Sequence, residues 1–231
     1  MLFIVMIILC SFATLAILLQ FFDRLENYRL IANVPTSKIA SAVSGYTELK
    51  GTAELMSGSQ TVSPLGHQPC VWYEYNVYRA KLVSKGGRTE TEWEKVEDGS
   101  SQTCFELHDD SGVCIVNPKD AEIVCDESVT WYGATQHPSI GLHSAENNPF
   151  LTYQRNRDHY RYTENIIPLG SKLYALGWLA AKKEKQNTAE NINLQKSEHA
   201  TENAKYELKK SRKDQPFILS TKSESNLRKH Y

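Results

Sequence analysis

The chain has 231 residues, enough for one ordinary domain with a further segment at each end. Its 26 lysines and arginines nearly balance 27 aspartates and glutamates, for a net charge of -1, which leaves no basic excess for gripping nucleic acid. Composition is otherwise that of a globular protein and excludes a chain disordered throughout.

Residues 2–22 read LFIVMIILCSFATLAILLQFF, with no charge and only Ser11, Thr14 and Gln20 strongly polar. About 20 apolar residues span the ~30 Å hydrocarbon core as a helix, which satisfies its own backbone in lipid. A cleaved signal peptide fits less well. No lysine or arginine precedes the run, the run is too long, and no small-residue cleavage site closes it. Residues 1–22 are therefore expected to be a transmembrane anchor, with membrane lipid as partner. Arg24, Arg29 and Lys38 follow it, and positive charge tends to stay in the cytoplasm, which places the body there.

Residues 23–34 read as a juxtamembrane neck ended by Pro35. Thr36 or Ser37 can cap a short helix through 38–42, with Gly45 stopping it. Residues 46–55 lean towards strand. CVWYEYNVYR, from Cys70, is the clearest strand of the chain, with Val71, Tyr73, Tyr75 and Val77 on one side and Trp72 and Tyr78 on the other. Trp72, Tyr73, Tyr75 and Tyr78 are either core or an exposed recognition surface; for Trp72 the core is expected. Gly86-Gly87 turns that strand into 89–96, and Asp109 to Gly112 turns 104–107 into 113–116.

Residues 131–156 read as loop, punctuated by Gly133, Pro138, Gly141 and Pro149. Strands resume at 161–168, where Arg161 and Glu164 are expected to pair, and at 172–180. The stretch 182–214 is rich in lysine, glutamate, asparagine and glutamine. It reads as a polar flexible insertion, because it buries too little to offset chain entropy. Its basic runs, 182–185 and 209–213, belong to a solvated linker or touch anionic headgroups. Residues 215–231 bring a short strand back, then a helix that Thr221 and Glu224 can cap. The whole is mainly β (α+β): a small twisted sheet or partly closed barrel with short helices, preceded by one N-terminal transmembrane helix, with the domain proper at 35–181.

Chemistry-bearing patterns are scarce. Cys104, Cys114 and Cys125 stand ten and eleven residues apart and no C-x-x-C occurs, so a zinc site from these with His108 is less expected than buried thiols. His137 and His143, near Ser139, Ser144 and Asp158, have no spacing that builds a nucleophile pair. No glycine pattern cradles phosphate. Neither a catalytic residue nor a cofactor nor a metal is expected.

An ordered set of pieces resembles the GIDE family, also called the BAM ("beside a membrane") domain, of E3 ubiquitin ligases and bacterial membrane proteins. The pieces are Pro35-Thr36-Ser37-Lys38-Ile39, Gly45 to Gly51, Ser63-Pro64-Leu65, Pro69 to Tyr73, Trp93, the hairpin from Phe105 to Gly112, Val116 with Pro118 and Ala121, Arg161-Tyr162-Thr163-Glu164, Ile167-Pro168, Leu173-Tyr174 with Leu176-Gly177, and Pro216 to Lys222. The resemblance implies a domain tethered by flanking membrane helices, which binds a protein partner or signals at the bilayer. Ligases of the family also carry a second membrane helix and a RING, whose two zinc ions need paired cysteines and histidines. This sequence holds no such pairs. An interaction or scaffold module is therefore expected, with an E3 ubiquitin-protein ligase, or a component of one, as the alternative that rests on resemblance alone.

Overall fold

The computed structural model describes residues 34–126, 128–138, 159–182, 204–211 and 215–228, with seven helical residues between Ile4 and Leu18. Most of the expected anchor at 1–22 and all of the neck at 23–34 except Val34 lie outside the described residues, as do 139–158 and most of 182–214. No helix among the described residues is long and apolar enough to cross a membrane.

Among the described residues eleven strands carry the body: β1 Gly45–Glu54, β2 Cys70–Lys85, β3 Arg88–Ser100, β4 Phe105–His108, β5 Val113–Val116, β6 Glu122–Val124, β7 Ser128–Gly133, β8 Tyr160–Pro168, β9 Lys172–Ala181, β10 Tyr206–Lys209 and β11 Ile218–Ser220. A 3-10 turn at Ile39–Ser41 and a helix α1 at Glu224–Arg228 complete them. The first sheet runs β1-β4-β5-β10-β9, and β1 pairs again with β9, so five strands close into a barrel; β11 and β6 extend it beyond β9. The second sheet is β3-β2-β8-β7. The partly closed barrel expected from the strand pattern is thus a closed one, with a second sheet beside it.

Closure depends on β1 serving both neighbours. Gly45 to Thr52 pair with β9, while Thr52 to Glu54 pair with β4. At this corner a Cβ on Gly51 would lie 2.4 Å from the His108 carbonyl oxygen, so only glycine lets the two backbones approach. Alternate residues fill the interior: Leu49 and Ala53, Phe105 and Leu107, Cys114 and Val116, Leu173, Ala175 and Leu179, and Leu208, joined by Trp72, Phe217 and Leu219. The opposite side of β9 is buried as well. Tyr174 and Leu176 pack with Ile218, Val124 and Leu227 of α1, which is why β9 reads as an unbroken apolar run.

Three expectations change. Within 182–214, Tyr206–Lys209 is the strand β10, antiparallel to β9 and parallel to β5. Ala204 and Leu208 are buried, an alternation too sparse to show in the average composition. Trp131 to Gly133, read as loop, end β7, with Trp131 packed on Tyr162 at 5.4 Å between ring centres. Residues 38–42 form only the 3-10 turn, which is capped from the β4–β5 hairpin: Ile39 N donates to Asp109 Oδ2 at 2.9 Å and Ala40 N to Ser111 Oγ at 3.0 Å. Glu224 takes a bond from Lys50 Nζ at 2.6 Å across to β1, which ties α1 to the barrel.

Candidate functional site

β2 is 16 residues long and passes from the barrel core into the second sheet. Two register shifts interrupt it, at Cys70/Trp72 against β8 and at Val77/Tyr78 against β3. The first explains why Cys70, Val71 and Trp72 are buried in succession although a regular strand would turn every second residue outwards. The four aromatic residues singled out in β2 therefore part company. Trp72, at 6 % exposure, lies in the barrel core. Tyr73 and Tyr75 are half-buried, 6.3 Å apart between ring centres, and the Tyr75 hydroxyl donates to Glu97 Oε1 at 3.0 Å. Tyr78 lies on the other side of the sheet.

There Tyr78 has company from distant parts of the chain. Directly opposed residues on neighbouring strands share a side, and Tyr132 of β7, Arg161 of β8 and Tyr78 of β2 form one such row. Trp93 of β3, opposite Ala80, joins the same side. The Arg161 guanidinium carbon is 4.4 Å from the Tyr78 ring centre and 5.1 Å from that of Trp93. Trp93 and Tyr132, from the two edge strands, meet with ring centres 5.8 Å apart and planes tilted by 51°. Arginine over aromatic faces is attracted by their quadrupoles, an interaction that strengthens as water is excluded. Arg161 makes no ion pair among the described residues, and its buried Nε has no acceptor. The expected Arg161–Glu164 pair does not form, because successive strand positions alternate: Arg161 and Glu164 emerge on opposite sides. Tyr132 is 50 % exposed, and Leu82, two positions beyond Ala80 on the same side, is 73 % exposed.

The reverse side of the sheet is structural. Leu65, Val77, Trp131 and Tyr162 pack there. Buried Glu164 accepts the backbone N–H of Leu65 at 3.1 Å and of Gly66 at 3.0 Å, which pins the 63–67 turn onto β8.

A second feature is a cleft of about 670 Å³ at the β1–β9 end of the barrel, lined by Lys38, Lys50, Lys172 and Lys222 and by Asp109, Asp110 and Glu224. Most of its charge is spent internally. Lys38 pairs with Asp110 at 2.6 Å, while Lys50 bridges Glu224 at 2.6 Å and buried Glu48 at 3.0 Å. Burial pulls the Lys50 ammonium down, but its bonds to Glu224 and Glu48 outweigh this and hold it above its ordinary range. Glu48 also accepts from the hydroxyls of Tyr174, at 2.9 Å, and Thr36. The cleft thus ties the start of the domain, the barrel and α1 together. No three metal-ligating side chains converge among the described residues.

Barrel, appended sheet and arginine-centred aromatic face together define a mainly β module. The GIDE family model, described as E3 ubiquitin ligase, matches residues 75–201, and the chain belongs to that family. The match takes in Tyr78, Trp93, Tyr132 and Arg161. No curated protein and no solved structure matches the chain.

Proposed function

We propose that this protein is a membrane-held interaction module of the GIDE family that presents the Tyr78–Trp93–Tyr132–Arg161 face to a protein partner. The observation that carries the reading is the Trp93–Tyr132 contact over Arg161 on a partly exposed sheet face. Tryptophan, tyrosine and arginine are the residue types that dominate protein–protein binding energy. Loss of a partner protein from the purified membrane-held chain on Trp93→Ala, with the fold intact, is the expected outcome; an unchanged partner set contradicts it.

Residues 1–22 supply the anchor, and the arginines that follow place the body on the cytoplasmic side. Support comes from the helical residues near the amino end. Ile4, Met6, Phe12, Leu15 and Leu18 are each more than half exposed, at 62, 59, 67, 54 and 51 %, so these apolar side chains find no cover in the body. Lipid provides it. Residues 35–181 with β10 and 215–228 then act as one body beside the bilayer. A chain lacking residues 1–22 is expected in the supernatant after carbonate extraction, and the full chain in the pellet; pelleting of both overturns the anchor.

The family's description favours a second reading, in which the module belongs to the ubiquitin-ligation machinery. On this reading the sheet face holds a substrate or a ligase subunit. Ubiquitin transfer in a mixture of E1, E2 and the purified chain tests whether it acts alone.

A further inference from the structure

Resting on the reading of the sheet face as a protein interface, we infer that its partner offers a single carboxylate, from an aspartate or glutamate flanked by apolar residues, to Arg161. A guanidinium presents its N–H donors in a planar fork that matches a carboxylate. Arg161 is held in place by Tyr78 and Trp93, at 4.4 and 5.1 Å, yet its charge is met by no acid among the described residues and its buried Nε lacks an acceptor. An arginine already fixed by ring stacking loses little side-chain freedom on binding. Half-exposed Tyr132 and exposed Leu82 lie on the same side and supply apolar contact beside the charge.

The surroundings argue for one carboxylate rather than a polyanion. On the Trp93 side of β3 stand Thr91 and Lys95, opposite Leu82 and Tyr78, and Lys95 is already paired with Asp98 at 3.5 Å. Glu90, Glu92, Glu94 and Glu97 of the same strand face the other side, opposite Val83, Lys81, Arg79 and Val77. A nucleic-acid backbone or an anionic bilayer needs a row of free cations, whereas Arg161 is the one lysine or arginine on this side of the four strands left without an acid among the described residues, which suits a lone carboxylate.

The test uses the full chain in detergent micelles and a phage-displayed library of random twelve-residue peptides. Recovered peptides are expected to carry an aspartate or glutamate next to apolar residues. A synthetic copy of the leading peptide is then titrated by fluorescence anisotropy. Replacing its acid by the amide is expected to weaken binding by about tenfold or more, the loss typical of a charge-assisted hydrogen bond. Arg161→Gln and Arg161→Lys are expected to weaken it comparably, since lysine keeps the charge and loses the fork. The acid-to-amide peptide on the unaltered chain gives the answer even if the arginine variants fail to fold. Peptides that bind equally well as amides overturn the inference. If such peptides still depend on Trp93 and Tyr132, the interface reading stands while the carboxylate falls. A library that yields no peptide sensitive to Trp93→Ala overturns both, and so does preferential binding to vesicles containing phosphatidylserine.

Discussion

Glu164 shows how much of this fold hangs on single side chains. Its carboxylate accepts two consecutive backbone amides, Leu65 N and Gly66 N, and a Cβ on Gly66 would lie 2.4 Å from its Oε2. Two pieces of the family resemblance, Ser63-Pro64-Leu65 and Arg161 to Glu164, are thus the halves of one contact. Glu164→Ala leaves two buried donors unsatisfied and is expected to cost about 2–5 kcal/mol in urea unfolding; Gly66→Ala is expected to destabilise through the same contact. A melting temperature unchanged in Glu164→Ala contradicts the clamp. The thiols give a second prediction at this scale. Burial pushes Cys70 up to about 11, and burial pushes Cys114 up to about 12, from an ordinary 9.0. An acid whose folded pKa is raised favours the folded state below its unfolded pKa, and that contribution is lost as pH climbs from there towards the folded value. Stability is therefore expected to fall above pH ~9 by about 1.4 kcal/mol per pH unit for each of these two thiols. Urea midpoints at pH 8 and pH 10 check it, and Cys114→Ala is expected to flatten the slope.

Among the elements, β10 closes the barrel and was the hardest to read from sequence. Ala204, Tyr206 and Leu208 alternate correctly, but three apolar positions vanish in a segment otherwise made of lysine, glutamate, asparagine and glutamine. Only the open edges of β5 and β9 turn that faint pattern into a strand, and those edges are a long-range fact. Leu208 has no exposure, so Leu208→Ala is expected to cost about 2–5 kcal/mol. A change within about 0.5 kcal/mol, as at surface positions, would show that β10 does not complete the core. By contrast the hairpins were legible, because their turns are local: Gly86 and Gly87 have φ of 60° and 78°, which glycine alone adopts without strain. β2 was legible as a strand but its faces were not. Its two register shifts and its passage from barrel to sheet decide which aromatic side chain is core, and neither leaves a mark on the alternation of CVWYEYNVYR. Trp93, isolated in TETEWEKVE, was legible only as a piece of the family resemblance, with no surface assigned to it. Its partners Arg161 and Tyr132 come from strands that follow it by tens of residues, so the cluster appears only once the sheet order is known.

On the scale of the whole molecule, the family match at 75–201 covers most of the second sheet and all four residues of the aromatic face but starts within β2 and ends before β10. The barrel needs β1 and β10 from outside it, so the folding unit is wider than the matched segment. One side of that unit is knitted by Glu48, Lys50 and Glu224; another carries the aromatic face. On the proposed reading, this face meets a protein while the chain is held at its membrane. Site-specific photocrosslinking in native membranes tests it most directly, with benzoylphenylalanine in place of Leu82 on the face or of Val43, 81 % exposed and away from it. A discrete protein adduct is expected from position 82 that disappears when Trp93→Ala is added, and none from position 43. Equal labelling from both positions, or an adduct at 82 indifferent to Trp93→Ala, would contradict it.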